Sequence, residues 1–350
     1  MASVRCCGSG SRAPWPPSID EFMASVAGVE GGRLEPIDMR LFRLSHLDYP
    51  ALGRRIWRGA QLGAAALRKL VPFAGGPSFE SLFFESAELM VPPFRADGFE
   101  KMIRRALGAP GATNDFRLLP RPLFIGVTDQ DEREHVIFGA QGHDDVPISV
   151  AIRASLSLNP AFGATRIGGR YYEDGGVTRT SNFVEAIRRG AGLIFVLDPF
   201  VPYVSRAPGF ASTRGMLFNF DQNIRTISYT RFENTRGWVL RRYPDVRSYT
   251  FLPANRLRQL MSVSPFDHRP FLEIWRGAYL STLQRIQRLR HRMHGDLAVF
   301  GVSLELGRAE AVAERLGDGA PTGARRLLPR GPGRDPAATA LSRAGCSGGP

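Results

Sequence analysis

The stretch of this chain that most restricts its fold is the apolar run AGLIFVLDPF at residues 191–200. A nearly continuous run is typical of a strand buried on both faces, since a half-exposed strand would alternate apolar and polar residues. Two β-rich runs lie upstream, RPLFIGVTD at 121–129 and EHVIFGA at 134–140, and a charged turn separates them as in a hairpin. Strands that alternate with helical patterns predict a layered α/β fold with helices on both faces of a sheet.

Helical periodicity marks the segments around these strands. It predicts helices over 50–71, 98–107, 147–157 and 182–189, phenylalanine-rich loops beyond 199, a strand over 247–253, and a long helical stretch over 269–302. The first helix is amphipathic, because arginines lie largely opposite a side formed by Leu52, Ile56, Trp57 and Leu67.

The composition is that of a globular protein with a strongly basic charge. Of the 350 residues, 43% are apolar, and 46 Lys and Arg against 33 Asp and Glu give a net charge of +13. Lys69 and Lys101 are the only lysines, so arginine supplies nearly all of this charge. Anionic partners are therefore favoured. Zinc-finger spacing and aromatic RNA-binding signatures are absent from the sequence, so nucleic acid is disfavoured, and an anionic lipid surface fits at least as well.

Cysteine placement and hydropathy bear on the cell compartment. Cys6, Cys7 and Cys346 all lie near the termini, which is no disulfide framework and indicates a reducing compartment. The N-terminal residues lack the apolar region of a signal peptide, and no stretch of about 18 uninterrupted apolar residues follows. We expect a cytoplasmic protein, with a peripheral membrane surface as a candidate partner. Nothing in the sequence sets the oligomeric state.

The segment GGRYYEDGG at 168–176 raises the question of what Asp174 does. The residues before it are β-branched or aromatic and suit a half-buried strand, and Gly175 and Gly176 lack a Cβ where that strand would end. The sequence thus places a carboxylate at the edge of a sheet. From these residues alone an Asp-Gly turn is the favoured interpretation, because this dipeptide is one of the commonest turn signals.

A longer segment around Asp174 changes that interpretation. Residues 150–182, VAIRASLSLNPAFGATRIGGRYYEDGGVTRTSN, resemble the C-terminal half of the patatin-like phospholipase domain. The family's characteristic positions are filled by Arg153-Ala154-Ser155, Pro160 to Phe162, Gly169-Arg170, Tyr172, Asp174-Gly175-Gly176 and Asn182. Asn159 stands where the family more usually has proline. The strand ending in Thr128-Asp129 also looks like the family's, and the resemblance extends over about residues 18–200.

The resemblance implies a lipid acyl hydrolase with a Ser-Asp dyad and no cofactor. In such a dyad Asp174 is the base that accepts the serine proton, and Gly175 and Gly176 complete the motif. The acyl-enzyme that forms divides one difficult hydrolysis into two easier steps. The substrate would be a phospholipid or another acyl ester. The chemistry requires a carboxylate that is held close to the serine and desolvated, because an ordinary aspartate is too weak a base near neutral pH.

The sequence does not supply the serine that this dyad needs. A G-x-S-x-G elbow between a strand and a helix should precede residue 18, together with a glycine-rich oxyanion loop. The one formal match is GCSGG at 345–349, which lies in the predicted disordered tail without a strand or helix around it. Ser9, Ser78 and Ser303 lack one or both glycines of the pattern. The nucleophile is therefore unknown. We expect an N-terminally truncated chain without serine-dependent esterase activity, and a catalytically inactive lipid-surface module or a basic nucleic-acid-associated protein are the alternatives.

The predicted organisation follows from these assignments. We expect a disordered N-terminal segment at 1–17, a partial patatin-like domain at 18–200, a mainly helical region at 201–316 and a disordered tail at 317–350.

The histidines offer no replacement triad, and we predict no metal site. Four of the six stand alone, and the remaining two lie on a basic helical face that solvent should cover: His46, His135, His143, His268, His291 and His294. The segment GHDDV at 142–146 indicates a charged turn, with a cation site as the alternative. Asp198, followed by proline, indicates a structural end to its strand.

Overall fold

A computed structural model describes residues 47–68, 94–159, 161–262 and 271–317 of the chain. Internal contacts divide the chain into two units, of which the first includes the described residues up to Glu305. The second contributes helix α9, Gly307–Gly317, to the described part. Of the helices in these ranges, not one combines the length and the apolar character needed to cross a bilayer.

The first sheet carries the site and is antiparallel throughout. Its strands are β1 (Ile125–Asp129), β2 (His135–Phe138), β3 (Thr165–Ile167) and β4 (Arg170–Asp174), in the order β2-β1-β4-β3. The hairpin expected from the sequence is confirmed, with Ile125 opposite Phe138 and Thr128 opposite His135. Strand β1 is central between β2 and β4, so it positions both the hairpin and the end of β4.

The sequence upstream of Asp174 forms a hairpin, whereas its β-branched and aromatic pattern predicts one strand. Gly168 and Gly169 adopt φ values of 57° and 88° and connect β3 to β4. Positive φ at two successive positions is characteristic of a tight turn whose twist matches that of antiparallel strands, and glycine adopts it without steric cost. The paired glycines therefore reverse the chain where the β-branched pattern alone indicates that it continues.

Three helices agree with the predicted helices to within a few residues. Helix α1 spans Tyr49–Arg68, α2 spans Asp97–Leu107 and α3 spans Ile148–Ser155. Of these, α3 packs on the strands of the first sheet and α2 packs on α3. Alanines in α3 let the helix approach the strands closely, because Ala151 and Ala154 are fully buried against the core. In that core the rings of Phe138 and Tyr172 meet edge to face, 5.2 Å apart.

The second sheet corrects the prediction made from the apolar run. Strands β5 (Leu193–Leu197) and β6 (Arg247–Phe251) pair in parallel in a two-stranded sheet. Phe195 stacks beside Tyr249 and Phe251 but remains 46% exposed, and Leu197 is 75% exposed. The expectation of a strand buried on both faces is therefore wrong. An apolar run is fully buried only where layers cover both faces, and here one face keeps contact with solvent.

The largest difference from the sequence prediction lies beyond β5. Short helix α4 spans Phe183–Arg188 as the sequence predicts, but the 28-residue helix α5, Gly215–Arg242, occupies a region where the sequence predicts loops. Its apolar residues do not gather on one side, so periodicity does not reveal it. Helices α6 (Asn255–Met261), α7 (Phe271–Arg288) and α8 (Arg290–Ala298) follow, and Leu289 divides the predicted long helical stretch.

The core of the first sheet should be sensitive to loss of Phe138, which is only 2% exposed. We expect Phe138→Ala to lower the free energy of unfolding by about 3–5 kcal/mol, because a large buried ring is replaced by a cavity. Leu118→Ala is the matched control, since Leu118 is 70% exposed and its truncation should cost less than about 0.5 kcal/mol. Urea denaturation followed by circular dichroism measures both. Equal effects of the two substitutions would show that the core is assigned incorrectly.

Candidate active site

Asp174 is the last residue of β4, and three backbone interactions fix its position. It pairs with Val127 of β1 in the sheet. Its N–H donates to the carbonyl oxygen of Ser157 at 3.1 Å, and its own carbonyl accepts from Thr128 Oγ1 at 2.9 Å. The main chain at Asp174 is thus held from β1 and from the segment that follows α3.

The carboxylate of Asp174 caps the turn that follows it. Residues Gly175–Val177 form a 3-10 turn, and Asp174 Oδ1 accepts the N–H of Gly176 at 2.6 Å. This is the local bond that an Asp-Gly turn requires. The turn interpretation and the catalytic interpretation are therefore compatible, because one carboxylate oxygen makes the cap and the other has no hydrogen-bond partner among the described residues.

A close backbone contact explains why glycine occupies position 175, the first position after Asp174. A Cβ at this position would lie 2.5 Å from the carbonyl oxygen of Gly126 and 3.1 Å from the backbone nitrogen of Val127. Real Cβ atoms do not approach backbone atoms this closely, so only glycine lets the turn contact β1. Gly175 is buried in this contact, which ties the turn to the central strand.

Two adjacent acids, Glu173 and Asp174, have opposite electrostatic surroundings. Glu173 is buried but compensated, since Arg133 lies 3.1 Å from one carboxylate oxygen and Asn159 donates to the other at 3.1 Å. Asp174 has no cation within salt-bridge distance among the residues that the structure describes. Burial raises the pKa of the Asp174 carboxyl, the Gly176 N–H partly offsets this rise, and the charge of Glu173 adds to it. The surroundings of Asp174 thus favour the protonated form of its carboxyl group.

His135 links three elements behind the Asp174 turn, a position that no pattern in the sequence predicts. Its Nδ1 lies 2.8 Å from Thr178 Oγ1, which lies 2.8 Å from Thr128 Oγ1, the hydroxyl that donates to the Asp174 carbonyl. His135 Nε2 lies 3.2 Å from Asn182 Oδ1. Only the register of the β1–β2 hairpin, with His135 opposite Thr128, could have indicated this position.

The partners of the His135 ring nitrogens bear on its tautomer. Asn182 Oδ1 can only accept, so its contact with Nε2 is a hydrogen bond when Nε2 carries the ring proton. In that tautomer Nδ1 accepts from the Thr178 hydroxyl. Burial lowers the pKa of His135, which favours the neutral ring.

A polar pocket of about 290 Å³ opens where the turn meets this histidine. Gly175 and Gly176 form one part of its wall, and Ser155, His135 and Asn182 contribute further polar groups. Arg179 supplies a positive charge, and no acidic side chain belongs to the described lining. The pocket therefore suits a polar or anionic group beside the Asp174 turn.

Helix α5 also reaches the turn, from outside the segment in which the sequence motif lies. The guanidinium of Arg231 donates to the carbonyl oxygens of Val177 at 3.1 Å and Thr178 at 2.5 Å. These two bonds fix the chain just after the 3-10 turn. Sequence reasoning missed Arg231 because the helix that carries it was not predicted.

The structure brings Asp174, Gly175 and Gly176 together but places no described serine hydroxyl against the carboxylate. Ser155 donates instead to the Gly126 carbonyl at 3.0 Å, and Ser303 is exposed. The other rejected serines lie outside the described residues: Ser9, Ser78 and Ser347. Thr128 and Asp129 are structural, since Asp129 is 2% exposed, accepts from the N–H groups of its turn and pairs with Arg170 at 3.0 Å.

The candidate metal ligands do not gather into a site in the described part of the chain. No group of three His, Cys, Asp or Glu side chains is placed there to hold an ion. In the segment 142–146, His143 closes a backbone turn with Gly139, and its ring packs edge-on against Phe138. His291 and His294 are exposed on α8, whereas His46 and His268 lie outside the described residues.

These observations define an α/β protein in which a strand-end carboxylate stands beside a polar pocket. Residues 89–187 match the family model described as Patatin-like phospholipase, and this match contains both the hairpin and the Asp174 turn. The family predicted from the sequence is therefore confirmed for this segment. A comparison with curated proteins found no match.

The contact at Gly175 predicts how the turn responds to one added methyl group. We expect Gly175→Ala to destabilise the protein by about 1–3 kcal/mol, because the new Cβ forces the turn away from β1. Gly163→Ala is the control, since no heavy atom lies within 4 Å of a Cβ at that position. Thermal denaturation compares the two variants. A Gly175→Ala protein as stable as the Gly163→Ala control would contradict the close contact.

Proposed function

We propose that this protein is a lipid acyl hydrolase in which Asp174 is the general base of a Ser-Asp dyad. The observation that carries the proposal is the environment of Asp174: within a patatin-like segment, this carboxylate is desolvated, lacks a cation among its described neighbours and has an elevated pKa. A base with such a pKa is better matched to proton transfer near neutral pH than an ordinary aspartate. The substrates would be phospholipids or other acyl esters.

The proposed chemistry assigns a separate task to each part of the site. The carboxylate oxygen of Asp174 that has no hydrogen-bond partner among the described residues accepts the proton of a serine hydroxyl as the serine oxygen attacks the ester carbonyl. The ester C–O bond then breaks, Asp174 passes this proton to the departing alcohol, and an acyl-enzyme remains. Water attacks the acyl-enzyme with Asp174 again as the base, and Asp174 returns the proton of that water to the serine oxygen as the acid is released. The Gly176 N–H and the contact of Gly175 with β1 keep the carboxylate from rotating away. The serine is not assigned, and no cofactor takes part in this scheme.

An inactive lipid-binding module is the second candidate function. The observation that favours it is the absence of any serine hydroxyl at the Asp174 carboxylate among the described residues. Under this alternative the turn retains its structure, but the chain binds lipid without cleaving it. Either function is consistent with a cytoplasmic protein that works at a peripheral membrane surface, and we propose that location for both.

One substitution pair separates catalysis from structure. Asp174→Asn keeps an oxygen for the Gly176 N–H but removes the base, so we expect hydrolysis of a short-chain nitrophenyl ester to fall by about 10²–10⁴-fold. Asp198→Asn is the matched control. Asp198 directly follows β5, accepts the N–H of Phe200 at 2.9 Å, and also has a pKa raised by burial. Its replacement should leave turnover unchanged.

A fluorophosphonate probe followed by mass spectrometry identifies the serine in the same experiment. The hydrolase proposal predicts labelling of one serine in the purified protein, which departs from the expectation of no esterase activity drawn from the missing elbow. That labelling should depend on Asp174 and not on Asp198. Turnover that survives Asp174→Asn would overturn the role of the base. A chain with neither turnover nor labelling, but with retained binding to phospholipid vesicles, would overturn the hydrolase proposal and establish the inactive module.

A further inference from the structure

Helix α1 is the amphipathic element that the sequence predicts, but the structure leaves its apolar side open. Ile56 is 67% exposed and Trp57 is 69% exposed, and Tyr49 and Leu52 are exposed as well. Of the helix positions whose burial the structure describes, 55, 59 and 62 are half-buried; they share a stripe with Leu52, whereas Trp57 lies on the opposite side. An amphipathic helix of a globular domain ordinarily buries its large apolar residues, so the exposure of Ile56 and Trp57 is unusual.

The position of α1 is set at its N-terminal end. Leu47, two residues before the helix, forms a β-bridge with Phe94, and Phe94 bridges in turn to Phe162 of the patatin-like segment. No other described helix or strand packs extensively along α1. The helix therefore belongs to the unit that carries the candidate active site, while its exposed side remains available to a partner.

The charge of α1 indicates which kind of partner this is. The sequence YPALGRRIWRGAQLGAAALR contains four arginines, at 54, 55, 58 and 68, and no aspartate or glutamate. Ile56 and Trp57 lie directly between Arg55 and Arg58. An anionic bilayer surface binds a helix that carries an aromatic ring, branched apolar side chains and arginines. The apolar groups enter the boundary of the acyl chains, and the cations contact the headgroups.

We propose that α1 is a membrane-docking helix that binds the surface of an anionic lipid bilayer through Leu52, Ile56 and Trp57, with arginines supplying the preference for negative charge. This binding does not require ester hydrolysis. It goes beyond the proposed function, since it assigns a lipid-surface contact to a helix outside the patatin-like match at 89–187.

Vesicle sedimentation with the full chain tests the proposal. We expect binding to vesicles of phosphatidylcholine and phosphatidylserine to exceed binding to phosphatidylcholine alone, and to weaken as salt rises. The double variant Ile56→Ser/Trp57→Ser should bind at least about tenfold more weakly. Met216→Ser/Leu217→Ser is the matched control, because these α5 residues are 74% and 78% exposed, and it should bind like the unmodified protein.

A second measurement locates the contact without depending on affinity. Brominated acyl chains quench tryptophan fluorescence on contact, so quenching should decrease in Trp57→Phe while vesicle binding persists. Arg54→Glu should reduce the preference for anionic vesicles, since it replaces one of four cations on the helix, an exposed one, with an anion. Turnover of a water-soluble ester should be the same in all α1 variants, so that loss of docking is distinguishable from loss of the catalytic site.

Several results would overturn the docking proposal. Equal loss of vesicle binding in the α1 and α5 variants would show that any exposed apolar pair contributes. Unchanged binding of Ile56→Ser/Trp57→Ser would show that α1 is not the contact. Dissociation of a self-associated protein by that variant, with no effect on vesicles, would assign α1 to a second copy of the chain. Tight binding of duplex DNA or RNA through α1, without vesicle binding, would assign it to nucleic acid.

Discussion

The contact between Gly175 and the carbonyl of Gly126 is the constraint on which the rest of the site depends. A Cβ at Gly175 would lie 2.5 Å from the Gly126 carbonyl oxygen, so only a glycine lets the turn after β4 pack directly on the central strand of the sheet. That contact orients the Gly176 N–H toward the Asp174 carboxylate and places Thr178 between Thr128 and His135. Gly126, Gly175 and Gly176 all line the pocket. A glycine thus determines where the acid, the histidine and the cavity lie relative to one another.

The surroundings of Asp174 separate two neighbouring acids into different roles. Glu173 is compensated by Arg133 and Asn159 and contributes to structure, whereas burial without a neighbouring cation leaves Asp174 with an elevated pKa. Carboxylates of this kind concentrate at functional sites, because a folded protein otherwise pairs a buried charge. Arg231 supports the arrangement from helix α5 through backbone carbonyls, so it holds the turn without neutralising the acid.

The sequence predicts the parts of this structure that local pattern controls. Alternating and periodic apolar residues, together with the placement of glycines, predict the β1–β2 hairpin, helices α1 to α4 and the position of Asp174 at a strand end. The exposed face of β5 and the whole of α5 do not, because burial depends on which layers cover a strand and α5 lacks a single apolar side. His135 and Arg231 reach the site through strand register and tertiary packing, which a lone histidine or arginine in a sequence does not reveal. The predicted domain boundaries stay predictions.

Titration of the Asp174 side chain by carbon-13 NMR tests the central claim most directly. The protein is labelled at aspartate carboxyl carbons, and the Asp174 signal is assigned by its loss in Asp174→Asn. The account predicts a midpoint above the ordinary aspartate value of about 3.9. A raised folded-state pKa means that protonation stabilises the fold, an effect present below the unfolded pKa and lost as pH rises through the folded value. A midpoint at or below the ordinary value, as for an ion-paired aspartate, would contradict the account.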